Sequence, residues 1–198
     1  MVSRKLLTLK NTTEEFNMVN DNLPRQGNAH VRFLVEAAVI AALYTVLTYV
    51  AAALNLAYGI FQFRFSEALT ILPVFTPAAI PGLVLGCFLS NLASPLGIVD
   101  WVFGTLATLL AALLSYALRK IQIKGLPVLS SLPPVLTNVV IVGFELACLS
   151  DIGFSFQNFS WAAYAASAVS VGAGELVVCV VLGLPLCALL KKAGFRIP

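Results

Sequence analysis

Residues 161–190 read WAAYAASAVSVGAGELVVCVVLGLPLCALL, an apolar run in which Glu175 is the only charged residue. A helix needs about 20 such residues to cross the hydrocarbon core of a bilayer. Of the 198 residues in the chain, 60% are hydrophobic and 11% are charged. The run therefore predicts a membrane-spanning helix, and the composition is typical of an integral membrane protein.

Other apolar runs predict further helices in the same membrane. One long apolar region is interrupted by Pro73, Pro77 and Pro81. Because proline ends or kinks a helix, we expect two short helices there instead of one long helix. The predicted spans are 32–55, 66–75, 78–93, 100–118, 129–149 and 161–190.

Basic residues indicate the orientation of these spans. Arg25 and Arg32 lie before the apolar part of the first span, and Arg119, Lys120 and Lys124 follow the fourth. Lys and Arg clusters near span ends stay on the cytoplasmic side, so an even number of crossings must separate them. The region 66–94 then forms either two crossings, which we favour, or a re-entrant hairpin. In both cases the two termini are expected to be cytoplasmic.

The predicted span 66–75 is unusually short. As an α-helix it would measure about 15 Å, so it must be covered by protein or face a water-filled cavity. The predicted fold is thus an all-α integral membrane protein with six transmembrane helices. Its predicted parts are a cytoplasmic N-terminal tail (1–31), the transmembrane domain (32–192) and a cytoplasmic C-terminus (193–198).

Several acidic residues lie inside or at the edge of the predicted spans. Glu67 and Asp100 begin spans on the outer side, Glu145 lies in the outer part of its span, and Glu175 lies near mid-membrane. A charge at the bilayer centre costs about 2.5–3.5 kcal/mol, so a polar ligand, a proton path or an internal pair is expected there. Arg64 is close enough to pair with Glu67, but it cannot neutralise all four acids.

Polar and aromatic neighbours favour a single shared site. Asn138 lies two helical turns before Glu145 and therefore on the same face. Asn91 is near the outer end of the third span, and Trp101 begins the fourth. The alternative is that these side chains only join helices, since such hydrogen bonds contribute about 0.6 kcal/mol each in membranes.

The chain lacks the residues of several common catalytic sites. The only histidine, His30, precedes the first span, which excludes a Ser-His-Asp triad or an HExxH zinc site inside the bundle. A GxxxxGK[ST] phosphate loop is also missing, and the four cysteines have no metal-ligand spacing. We therefore expect no metal or cofactor. A membrane enzyme using paired glutamates and a small-solute or proton channel remain as alternatives.

The run QFRFSEALTILP at residues 62–73 resembles a motif of the QueT family. AIPGLVLGC at 79–87, DWVFGTLAT at 100–108 and GEL at 174–176 are also similar to that family. The resemblance, which covers about residues 32–192, implies the substrate-binding S component of an energy-coupling factor (ECF) transporter in the plasma membrane. It implies uptake of queuosine precursors, 7-deazaguanines such as 7-aminomethyl-7-deazaguanine. The implied partners are a transmembrane coupling subunit and two cytoplasmic ATPases.

The resemblance also implies roles for single residues. Substrate would enter from outside beneath the loop 56–66, where Gln62 and Arg64 would gate the site or orient its side chains. In S components an Ala-x-x-x-Ala stripe on the first helix faces the coupling subunit. Two pairs have that spacing, Ala37 with Ala41 and Ala38 with Ala42.

The chemistry of a 7-deazaguanine fits an acidic site. Its two adjacent N–H donors suit a carboxylate, which accepts both, and a second carboxylate would stabilise the aminomethyl cation. Asn side chains can bind the ring edge, and Trp can stack on the flat base. Glu145, favoured over Glu175 for its outer position, is expected to bind the guanine-like edge. The predicted substrate-binding residues are Glu67, Asn91, Asp100, Trp101, Asn138, Glu145 and Glu175.

Overall fold

The computed structural model describes residues 26–57, 63–150 and 153–198. The chain divides into two compact units, Met1–Leu34 and Val35–Pro198. The described residues are mainly helical, which confirms the predicted all-helical fold class, and a hairpin of two-residue strands, β1 (Leu149–Ser150) and β2 (Gly153–Phe154), is added. The helices are α1 (Gln26–Ala53), α2 (Ala79–Asn91), α3 (Ile98–Leu118), α4 (Leu132–Ala147), α5 (Trp161–Leu176) and α6 (Gly183–Lys192).

Four helical stretches within the described residues are long and apolar enough to cross a membrane. They agree with the first, fourth, fifth and sixth predicted spans. The second and third predicted spans are shorter apolar helices, so the number of six crossings stays a prediction. The four long stretches are Asn28–Ala53, Ile98–Leu118, Val128–Ala147 and Trp161–Lys192.

The second predicted span is a 3-10 helix, Phe65–Val74, instead of an α-helix. It runs antiparallel to α1, since Thr48 donates a hydrogen bond to Ser66 (2.7 Å) and Thr76 donates one to Glu36 (2.9 Å). A proline inside the segment removes one backbone donor. At about 2.0 Å per residue, ten residues of 3-10 helix measure about 20 Å. The segment is therefore longer than the α-helix we expected.

Glycines allow α2 to lie against α1. A Cβ atom on Gly82 would lie 2.7 Å from the carbonyl oxygen of Ala37, and one on Gly86 would lie 2.9 Å from that of Ala41. Because these contacts advance in the same direction along both helices, α2 runs parallel to α1. The 3-10 helix and α2 thus form a hairpin packed along α1.

The last membrane stretch is continuous from α5 to α6 but contains a π-helical segment, Val177–Leu182. This segment packs against the 3-10 helix. It begins two residues after Glu175, and π-helical turns occur frequently at functional sites. These two irregular helical segments therefore face each other.

Small and medium apolar side chains fill the interior between these helices. One cluster joins α1, the 3-10 helix, α2 and α3, and a second forms where α3, α4 and α5 meet. The second cluster consists of Ala107, Val142 and Val171. The first consists of Ile40, Tyr44, Leu69, Ala79, Leu83, Cys87 and Ala112.

Candidate functional site

Arg64 joins two of the predicted site residues in a buried polar cluster. Its Nη2 atom lies 3.4 Å from Asp100 Oδ2, and its Nη1 atom donates to Asn91 Oδ1 at 3.4 Å. Asn91 in turn donates to the backbone carbonyl of Asp100 at 3.0 Å. A side chain on Gly104 would collide with both, since its Cβ would lie 2.5 Å from Asn91 Nδ2 and 2.8 Å from Asp100 Oδ1. The glycine thus makes room for this cluster.

The cluster keeps Arg64 charged although it is buried. Burial, the largest single effect, lowers the pKa of the guanidinium, but the combined electrostatic effects of Asp100, Tyr44, Cys87 and Glu67 outweigh it and leave the pKa above its ordinary value. The Nε atom of Arg64 also donates to the backbone carbonyl of Ala57 at 3.2 Å. Arg64 is therefore a fixed interior cation anchored from several sides.

Tyr44 of α1 donates a hydrogen bond to Glu67 Oε1. Both side chains are fully buried, and the other carboxylate oxygen of Glu67, Oε2, has no hydrogen-bond partner within the described residues. Tyr44 was not among the residues predicted from the sequence. Its position in the middle of an apolar span could have indicated a polar contact, because a buried phenol usually finds a polar partner.

Glu175 faces Glu67 across a cysteine. Cys179 Sγ contacts Glu175 Oε2 at 3.4 Å and the backbone carbonyl of Glu67 at 3.7 Å. The Asn138 side chain also interacts with the Glu175 carboxylate. Cys179 is therefore a polar link between α5, the π-helical segment and the 3-10 helix, a role that its apolar sequence context did not predict.

Glu145 differs from the other interior acids because its carboxylate has no hydrogen-bond partner among the described residues. The residue is 1% exposed, and neither carboxylate oxygen accepts a hydrogen bond from any described residue. On α3, the buried atoms Trp101 Nε1 and Thr105 Oγ1 likewise have no hydrogen-bond partner among the described residues, and the Trp101 ring contacts Phe88 of α2. An unpaired buried polar group costs about 1–3 kcal/mol, and a charged one costs more. Such atoms are suited to bind a polar ligand.

The structure thus brings most of the predicted site residues into one interior region. Asp100 and Arg64 lie within electrostatic range of Glu145, and Glu67 and Arg64 lie within that range of Glu175. Gln62, the other predicted gating residue, lies outside the described residues. All of the site residues that the structure describes are buried or partly buried. Their role in substrate binding stays a prediction.

The two alanine pairs of α1 lie on different faces. Ala41 is buried against Gly86 of α2, whereas Ala38 and Ala42 are exposed. The sequence left the register of the stripe open. The packing of α2 leaves the second pair available on the surface of the helix.

An aromatic groove of about 530 Å³ lies beside the end of α4 that carries Glu145. Rings from β2 and from the start of α5 extend this surface through stacked and edge-on contacts, such as Phe144 with Phe159 at 5.4 Å. The sequence left open whether these aromatics are an interfacial belt or a lid, and both remain open. The groove is lined by Phe103, Leu106, Val140, Ile141, Phe144, Phe159, Trp161 and Tyr164.

No group of three His, Cys, Asp or Glu side chains is arranged to hold a metal ion in the part of the chain that the structure describes. The interior acids are held by Tyr44, Arg64, Asn138 and Cys179 instead.

Comparison with known proteins gives a family match over most of the chain. The model of the QueT transporter family matches residues 34–192. The queuosine precursor transporter QueT of Lactococcus lactis subsp. cremoris (strain MG1363) is 38% identical over 76 residues, which are 38% of this chain and 44% of that protein. The chain thus aligns with less than half the length of this relative. No solved structure matches the chain.

Proposed function

Because the chain belongs to the QueT transporter family, we propose that it is the substrate-binding S component of an ECF importer. Its substrate would be a queuosine precursor, a 7-deazaguanine such as 7-aminomethyl-7-deazaguanine, bound from the extracellular side. The name of the Lactococcus relative supports a queuosine precursor as the substrate class. Since the family is one of transporters and not of enzymes, the hypothesis of a glutamate-pair enzyme is abandoned.

The unpartnered carboxylate of Glu145 is the observation that carries this proposal. Its oxygens accept no hydrogen bond from any described residue, and the carboxylate lies within electrostatic range of Arg64 and Asp100. A 7-deazaguanine would supply two adjacent N–H donors to this carboxylate. Binding would then satisfy oxygens that the described residues leave unpaired.

The second acidic pair suits the other end of the ligand. Glu67 keeps one oxygen without a hydrogen-bond partner among the described residues, and Glu175 lies beyond Cys179. An aminomethyl cation placed between these two side chains would offset the repulsion between buried carboxylates. Asp100 is already paired with Arg64, so it would orient the site more than contact the cation.

Equilibrium binding of 7-aminomethyl-7-deazaguanine to the purified protein tests the proposal. Glu145→Gln keeps the shape of the side chain but removes the charged acceptor, and we expect the affinity to fall by at least about 2 kcal/mol, roughly 30-fold. Glu36→Gln is the matched control, since Glu36 lies at the opposite end of the bundle beside Thr76 and should leave the affinity unchanged.

Two results would contradict different parts of the proposal. If the unmodified protein binds no 7-deazaguanine, the substrate assignment is wrong. If it binds and Glu145→Gln binds equally well, the substrate class stands and Glu145 is not its acceptor. Mass spectrometry of small molecules that copurify with the protein provides an independent identification of the substrate.

The proposed assembly follows from the same function. An S component has no ATPase, so a coupling subunit with two cytoplasmic ATPases would drive import, and the exposed Ala38–Ala42 pair is the proposed contact with that subunit. The proposed topology has six crossings in the plasma membrane, with both termini on the cytoplasmic side. The basic residues after α3 and α6 support this orientation.

A further inference from the structure

Two basic segments of the chain meet at one end of the bundle. The first is the loop after α3, residues 119–127, and the second is the end of α6 with the residues that follow it. Lys191 joins them, since its Nζ atom donates to the Gly125 carbonyl at 2.6 Å and to Gln122 Oε1 at 3.4 Å. We name the surface of residues 119–125 and 191–196 the basic face.

Within the described residues, no carboxylate neutralises the positive charge of the basic face. The sequence has no Asp or Glu between residues 101 and 144 or between 176 and 198. In the described part of the chain, none of the cations of this face forms an ion pair with a carboxylate. These cations are Arg119, Lys120, Lys124, Lys191, Lys192 and Arg196.

Interaction with helix ends explains only part of this cluster. Cations near a helix C-terminus are stabilised by its carbonyl groups, and Arg119 donates to the Tyr116 carbonyl at 2.8 Å and stacks on the Tyr116 ring. Lys191 has the partners given above. Lys120, Lys124, Lys192 and Arg196 instead extend into the surroundings as exposed side chains.

A tight turn fixes the tip of the basic face. Ile123 and Leu126 exchange backbone hydrogen bonds of 2.8 and 3.0 Å, with Lys124 and Gly125 at the tip. Lys124 adopts φ +52°, a left-handed conformation that is unfavourable for a residue with a side chain. The turn is therefore a defined structure that holds this lysine at the surface.

Apolar side chains accompany the exposed cations. Ile121 is 49% exposed, Ile123 is 54% exposed and Phe195 is 55% exposed. Surfaces that combine exposed apolar side chains with Lys and Arg bind at the membrane interface, where the apolar groups enter the acyl boundary and the cations reach lipid phosphates.

The position of the basic face in the sequence indicates its depth in the membrane. Its two segments lie at the ends of the membrane stretches that finish at Leu118 and Lys192, so they lie at the level of the lipid headgroups. We propose that the basic face binds the headgroups of anionic phospholipids in the bilayer that holds the protein. This site would be separate from the acidic interior and does not depend on which substrate is bound there.

Lipid binding to the purified full-length protein in detergent tests this proposal. Phosphatidylglycerol and phosphatidylcholine with the same acyl chains are added in parallel, and retained lipid is measured by native mass spectrometry. We expect phosphatidylglycerol to be retained in preference. In Lys120→Gln/Lys124→Gln/Arg196→Gln its affinity should fall at least about tenfold, since each cation near an anionic surface changes affinity by about fivefold.

The matched control, Lys120→Arg/Lys124→Arg/Arg196→Lys, keeps all charges and should keep the preference. Equal retention of the two lipids by the unmodified protein would overturn the proposal, whether or not the variants fold. It would also be overturned if the neutralised variant kept its preference for phosphatidylglycerol. If the neutralised variant lost binding to a partner protein but kept its lipid preference, the basic face would be assigned to that partner instead.

Discussion

The acidic residues of the interior differ in how their charge is stabilised. Glu67 accepts a hydrogen bond from Tyr44, Glu175 is contacted by Cys179, and Asp100 is paired with Arg64. Glu145 has none of these contacts within the described residues. Since a protein gains nothing from a buried carboxylate without a partner, this residue is the strongest candidate for ligand contact.

The Tyr44–Glu67 contact leads to a stability prediction. Tyr44→Phe removes the donor to a fully buried carboxylate oxygen while it preserves the ring that packs in the core. We expect the free energy of unfolding to fall by about 1–3 kcal/mol, measured by thermal or denaturant unfolding in detergent.

Tyr49 provides the control on the same helix. Its hydroxyl donates to the Leu89 carbonyl at 3.1 Å from an exposed position, where water or headgroups can replace the lost bond. Tyr49→Phe should therefore change the stability by less than Tyr44→Phe. Equal effects of the two substitutions would show that burial of the Glu67 contact contributes no additional stability.

The hairpin of the 3-10 helix and α2 is the element that was predicted least completely from the sequence. Its two arms pack along α1 in opposite directions, from the level of Thr48 to that of Glu36 and back. The 3-10 geometry gives the first arm more length per residue than an α-helix has. In the proposed topology these two arms are two crossings, and the turn around Pro77 lies on the cytoplasmic side.

Cysteine labelling tests the position of that turn. Pro77 is exposed, and all four native cysteines are buried, so a new cysteine would be the accessible one. We predict that Pro77→Cys reacts with a membrane-impermeant maleimide added from the cytoplasmic side of oriented vesicles, because two crossings bring the turn to that surface.

Lys124→Cys and Trp161→Cys are the reference positions for the cytoplasmic and outer sides, since both side chains are exposed. If Pro77→Cys reacts like Trp161→Cys, or reacts from neither side, residues 66–94 form a re-entrant hairpin and the bundle has four crossings.

At the scale of the whole molecule, the exposed surface of α1 is where a partner is expected. Packing of α2 buries Ala41 but leaves Ala38 and Ala42 accessible. Small side chains allow helices of two membrane proteins to approach closely. The proposed coupling subunit would therefore contact α1 along this stripe, on a face rotated by about 100° from the α2 contact.

Bulky substitutions along the stripe test this contact. Ala38→Trp/Ala42→Trp should reduce copurification with the coupling subunit by at least about tenfold, because the added rings prevent close helix packing, while substrate affinity stays unchanged. Leu43→Trp is the control, since Leu43 is exposed on another part of the helix surface. Full assembly of the double variant would exclude the stripe as the contact.

The sequence alone predicted the helical membrane fold and most of the interior polar residues. Both follow from local composition. Long apolar runs form membrane helices, and acidic residues inside such runs indicate a function because a charge in the membrane costs free energy. The run QFRFSEALTILP at residues 62–73 also indicated the family. These features depend on chain neighbours and not on which helices meet.

Only the tertiary structure decided which polar groups pair and which remain unpaired. The contacts of Tyr44 with Glu67 and of Arg64 with Asp100 join residues that are 23 and 36 positions apart, and the 3-10 form of Phe65–Val74 was not predicted from its sequence. The packing of α2 against α1 left Ala38 and Ala42 as the exposed alanine pair. Such choices depend on the relative rotation and depth of whole helices, which are set by contacts distant in the sequence.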